Sequence, residues 1–198
     1  MEMPKPSEAH RRFETMAGDW LGDEIMHPSP FDPAGGVAIG HTISEVGLDG
    51  FALIGEYQQE RDGVVTFRGH SVWTYDGKDQ CYVMYWWDSM GSPVNVFKGN
   101  YSGDILTMNC SDQSGHWRLT YDYSTPGTLK SIMQMSQDGQ NFNPLFEGTY
   151  YPVIEAPAKK APAKNAAKKP AKPAKPAKKK PTKPAKKKPS KPVKKKKR

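Results

Sequence analysis

The chain has 198 residues and a formal net charge of +8, but that charge is the sum of two unlike parts: residues 156–198 hold 19 lysines, one arginine and no acid, whereas residues 1–155 carry −12. All five tryptophans, nine tyrosines and seven phenylalanines precede residue 152, so only the front part has apolar mass to set against the entropy of ordering, and the rear is expected to stay disordered. No run of eighteen apolar residues and no apolar secretory leader occurs in the sequence, which excludes a membrane-spanning helix and leads us to expect a soluble, cytoplasmic chain, nucleoid-associated if bacterial.

About 150 residues suit one hydrophobic core. The expected partition is an N-terminal segment over residues 1–17, a folded domain over 18–152 and a lysine, proline and alanine-rich tail over 153–198. Ser7 is placed to cap a short helix from Glu8 to Ala17, with His10, Phe13 and Ala17 on one face and Gly18 ending it. From Trp20 the periodicity changes to two. The PSPFDPAGG stretch (28–36) holds three prolines and must be a loop.

Ten strands are expected: 20–27, 36–46, 51–60, 64–75, 80–87, 94–101, 105–111, 116–123, 128–136 and 142–151. Asp62-Gly63, Asp76-Gly77, Ser102-Gly103-Asp104 and Asp138-Gly139 supply hairpin turns between them. In HWRLTYDY (116–123), Trp117, Leu119, Tyr121 and Tyr123 share one face, and His116, Arg118, Thr120 and Asp122 the other. The run CYVMYWW (81–87) is apolar on both faces, which fits a strand covered outside by the N-terminal helix or a partner chain. The fold class is therefore all-β, a ten-stranded antiparallel up-and-down barrel with a short N-terminal helix, because closure satisfies the edge hydrogen bonds of so many meandering strands.

The stretch MAGDWLGDE, a short helix running into Gly18-Asp19-Trp20, resembles the opening signature of the calycin superfamily of lipocalin-like barrels. With YWWDSMGSP, GNYSGDILTM and FEGTYYP it is similar, over about residues 8–152, to an uncharacterised bacterial family of calycin-like barrels known only as a domain of unknown function. The resemblance implies an internal cavity and no agreed activity. Nitrobindin-type calycins carry haem through a histidine late in the chain, whereas the last histidine here is His116, so no cofactor is expected.

A ligand cavity inside the barrel is expected to draw on Trp20, Glu24, Phe67, Trp73, Tyr85, Trp87, Trp117 and Tyr121, since small-molecule sites are concave, apolar and aromatic. The same side chains would serve equally as barrel filling. Glu24, Glu56 and Asp88 are candidate buried carboxylates, with turn duty the alternative for Asp88. His27, His41, His70 and His116 fall on different strands, and no metal site is expected from them. Cys81 and Cys110 lack the spacing of a redox or zinc pair. No nucleophile–histidine–acid spacing and no phosphate loop is recognisable, so no catalytic residue is assigned and a non-enzymatic binding protein is expected.

The tail resembles, in composition alone, the basic tails of linker histones. Lys168, Lys169, Lys172, Lys175, Lys178, Lys179, Lys180, Lys183, Lys186, Lys187, Lys188, Lys191, Lys194, Lys195, Lys196, Lys197 and Arg198 are expected to neutralise phosphates on nucleic acid or another polyanion without reading sequence. If eight of these charges met a duplex, binding would fall with salt at a logarithmic slope of about −7. The leading expectation is therefore a barrel tethered to nucleic acid. The alternative is a small-molecule carrier or enzyme whose site is the barrel cavity. A third reading makes Tyr82, Met84 and Trp86 the face of a homodimer.

Overall fold

The computed structural model describes residues 2–154. All of the proposed phosphate-binding residues, Lys168 to Arg198, lie outside the described residues.

Ten antiparallel strands form a closed barrel, each paired with its neighbours in sequence and the last returning to the first. In chain order they are β1 (Gly18–Met26), β2 (Gly36–Gly47), β3 (Ala52–Arg61), β4 (Val64–Asp76), β5 (Cys81–Asp88), β6 (Asn95–Ser102), β7 (Ile105–Asp112), β8 (Gly115–Asp122), β9 (Leu129–Ser136) and β10 (Asn143–Pro152). β1 closes the ring by pairing Glu24 with Gly148 on one side and with Ala38 on the other. Every connection is a hairpin, and strand ends fall within two residues of the positions read from alternation and turn chemistry. One turn differs from expectation. Between β4 and β5 the positive φ sits on Gln80 (52°), while Gly77 stays in ordinary space and Asp76 Oδ1 accepts the amides of Lys78 and Asp79 at 2.9 and 3.1 Å.

The expected short N-terminal helix is present as two four-residue α-helical pieces, α1 (Glu8–Arg11) and α2 (Phe13–Met16), joined at Arg12, which keeps helical φ and ψ of −63° and −21°. At the junction the Arg12 guanidinium donates to the Gly103 carbonyl at 2.9 Å and lies 4.0 Å over the Tyr101 ring, anchoring the segment to the barrel. Phe13 is fully buried and Met16 5 % exposed, and they join Leu53, Trp73, Tyr82, Met84, Phe97, Leu106, Met108 and Leu119 in the main core. One end of the barrel is thus plugged from outside by α1 and α2. Tyr82 ties the plug to the wall by donating to the Ala9 carbonyl at 2.8 Å.

Strand β5 corrects a sequence expectation. Tyr82 and Met84 are 4 % and 1 % exposed and belong, with Trp86, to the interior cluster. They cannot form a dimer face. The residues that point outward are Tyr85 and Trp87, because apolar side chains at every position of CYVMYWW carry no parity signal and only pairing sets the register.

Candidate functional site

Position in the barrel divides the interior into two halves. Near the α1–α2 end most inward side chains are buried, among them Leu53, Trp73, Tyr82, Leu106, Leu129 and Tyr150, while Tyr75, Tyr101, Tyr121 and Tyr123 are partly buried. Toward the opposite end, where the β1–β2, β3–β4, β5–β6, β7–β8 and β9–β10 connections lie, several inward side chains are partly buried, Met26, Tyr57, Phe67, Trp86, Trp117 and Met133, while Gln59, Cys110 and Met135 are buried. Tyr57, Phe67 and Trp86 form one aromatic cluster with centroids 6.0 to 6.4 Å apart. Gly69 exists for this cluster, since a Cβ there would sit 2.1 Å from the Trp86 ring.

At the junction of the two halves lies Glu24, fully buried and the one buried ionisable carboxyl among the described residues. Three donors converge on it from two other strands. The Tyr57 and Tyr150 hydroxyls donate to Oε1 at 2.6 and 2.5 Å, and the Gln59 amide donates to Oε2 at 2.7 Å. Strand geometry makes this convergence inevitable once the register is set, because β3 places Tyr57 and Gln59 two residues apart on the inward face, while β10 brings Tyr150 from the other side of β1. Gly40 supplies the space: a Cβ at that position would lie 2.1 Å from Glu24 Oε1. Burial, followed by the neighbouring carboxylate, holds both phenols well above the usual tyrosine range. Tyr121 is likewise pushed up by burial, and Tyr101 is pushed up to about 12 by the same cause.

The mouth of this half is crossed by the β1–β2 loop. Phe31, 61 % exposed, lies 5.8 Å from the Trp117 ring on β8, three strands away around the barrel from β1. The loop is fastened on the other side by an ion pair between Asp32 and Arg61 of β3, and the Arg61 guanidinium holds the Asp32 carboxyl below the usual range. Asp32 also accepts from the Gly35 amide at 3.2 Å. Beneath Phe31 the Trp117 indole N–H is buried without a partner, as is that of Trp20.

Of the residues expected at a cavity, Trp20 (9 % exposed), Glu24 and Trp73 (4 %) are buried, while Phe67, Trp117 and Tyr121 are half-buried. Trp73 donates to Ser71 Oγ at 3.1 Å and serves the packed half. Tyr85 and Trp87 are corrected: at 39 % and 42 % exposed they stand on the outer wall. Trp87 instead borders a shallow outer depression of about 210 Å³ with Glu56, Arg68 and His70, where Glu56 accepts from His70 at 2.6 Å. A second outer depression of about 280 Å³ lies between α1 and the turn after β2. Asp88 performs turn duty, accepting the Met90 amide at 2.9 Å. Tyr57, Gln59, Tyr150, Met26 and Phe31 were not anticipated, and the only hint was the shared parity of Tyr57 and Gln59.

The histidines pair singly, His27 with Glu147 at 2.9 Å and His41 with Asp19 at 2.6 Å. Among the described residues no three His, Cys, Asp or Glu side chains come together to hold a metal, and no helix is long and apolar enough to cross a membrane.

Two solved structures are similar in fold. Rv2717c from M. tuberculosis superposes with a TM-score of 0.55 at 12 % identity, over 75 % of this chain and 99 % of its own. The S-type phycobiliprotein lyase CPES from Guillardia theta superposes with a TM-score of 0.51 at 10 % identity, over 76 % of this chain and 95 % of its own. A comparison with curated proteins finds no match. The family model described as "Protein of unknown function (DUF1579)" matches residues 5–151, almost the whole barrel with its N-terminal plug, and the chain belongs to that family.

Proposed function

We propose that the barrel binds a small, largely apolar molecule in the half of its interior that lies between the Glu24 cluster and the Phe31 loop. The observation that carries this reading is the contrast within one barrel. Most inward side chains at the plugged end are buried, Leu53, Met84 and Leu106 almost completely, whereas Tyr57, Phe67, Trp86 and Trp117 keep accessible surface at the other. Aromatic walls with a few convergent polar groups are the usual lining of a small-molecule site. Native mass spectrometry of the full chain, purified gently, tests the proposal: a reproducible extra mass of a few hundred daltons supports it. An unliganded mass, with no thermal shift across a panel of apolar and aromatic compounds, overturns it.

Catalysis in the same interior is a second reading. It is favoured by one neighbour, which by its name is a lyase, and by the buried carboxylate flanked by phenols, a set of groups able to hold and move a proton. Tethering to nucleic acid through Lys168 to Arg198 remains a separable proposal that rests on the charge of the sequence alone. The barrel interior, not the tail, is the reading with the wider support.

A further inference from the structure

The chemistry of the Glu24 cluster restricts what the proposed lumen accepts. Both phenolic hydrogens are spent on the carboxylate, so what Tyr57 and Tyr150 have left to offer is lone pairs. Gln59 is constrained in the same sense. Its amide nitrogen faces Glu24 Oε2 at 2.7 Å, Tyr57 Oη at 3.2 Å and Met26 Sδ at 3.4 Å. A flipped amide would aim its carbonyl at a carboxylate, so the carbonyl is turned away from Glu24. The Met26 thioether adds only a weak acceptor. Among the described residues no lysine, arginine or histidine is buried, and the Trp117 indole N–H, buried without a partner, lies at the mouth and not at this floor.

From this we infer that the polar floor formed by Glu24, Tyr57, Gln59 and Tyr150 is acceptor-only, set that way by Glu24, that the ligand is a flat apolar molecule directing an N–H or O–H donor at that floor, and that the unpartnered Trp117 N–H at the mouth is where a ligand acceptor would be met. The inference rests on the proposed lumen and names its ligand class. An acceptor directed at this floor would meet Gln59 Oε1 or Tyr57 Oη with no hydrogen between them, and a site built to bond a donor discriminates strongly against the analogue that lacks it. Glu24 acts here as a positioning residue through Tyr57, Gln59 and Tyr150.

The test uses the full chain with ¹³C-labelled methionine methyls and three isosteric bicycles: indole, which donates through N–H, benzofuran, which only accepts, and indene, which does neither. Indole is expected to shift the Met26 and Met133 methyls and to bind at least about tenfold tighter than benzofuran. In Gln59→Met and Tyr57→Phe, which remove one acceptor each, the indole preference should shrink while indene binding persists. Equal affinities for indole and benzofuran, with both methyls shifting, would overturn the acceptor-only assignment and leave the lumen standing. Persistence of the full preference in both variants would do the same. Silence of Met26 and Met133 with all three compounds would remove the lumen itself, and this inference with it.

Discussion

Glu24 is the residue on which the interior depends. Its carboxylate accepts from the buried Tyr150 phenol and Gln59 amide and from the partly buried Tyr57 phenol, so Glu24→Ala removes the charged acceptor of all three. We expect a loss of about 3 kcal/mol or more in urea unfolding, well above the effect of a typical surface change. Gly40→Ala tests the same site from the backbone side. Its methyl would lie 2.1 Å from Glu24 Oε1, and the expected cost is about 1–3 kcal/mol, read as a lower Tm. Neither residue was legible as a pair. Glu24 stands out in the sequence by sharing a face with Trp20, but its partners arrive from β3 and β10, 33, 35 and 126 positions away, and no local pattern announces such distant meetings. Trp87 misleads for the opposite reason, since it sits beside Trp86 in a run where both faces are apolar.

Strand by strand, the fold was readable because its signals are local. Alternation in HWRLTYDY and aspartate–glycine turns fix strand ends to within two residues, and Leu119 and Tyr121 face inward as the pattern requires. The loop from β1 to β2 was legible only as a loop. Three prolines say that it is not a strand, but not that Phe31 reaches β8. If that loop covers the mouth, Phe31→Ala should accelerate association and dissociation of a lumen probe by similar factors in stopped flow. The folding stability should change by less than about 1 kcal/mol, because Phe31 is 61 % exposed. At β3, β8 and β10 the buried phenols make the barrel sensitive to alkali. Tyr57, Tyr121 and Tyr150 have folded-state pKa values raised above the unfolded value of about 10. The folded state therefore holds their protons more tightly. Their contribution to stability is complete below about pH 10 and is lost as pH rises through and beyond it. Absorbance at 295 nm and circular dichroism recorded together should show these phenols ionising in step with unfolding. Smooth phenol ionisation in a barrel that stays folded would contradict the assignment.

For the whole molecule, the charge division makes the two parts separable in experiment. Removing residues 156–198 leaves a chain of net charge −12. It should keep the circular dichroism of the full chain and lose any salt-dependent retardation of DNA in a gel, and continued retardation would sink the tethering proposal. Membership of the family accounts for the barrel and its plug, while the asymmetry of packing between the two ends is what points to a ligand. That asymmetry is tested most directly by methionine-methyl NMR of the full chain during titration with indene, which needs no hydrogen bond. The account predicts saturable shifts of the Met26 and Met133 methyls at the end away from α1 and α2 and none of Met90, which is 74 % exposed on the outside. Unchanged Met26 and Met133 signals at saturating indene would show the interior to be full, and the proposed function would fall.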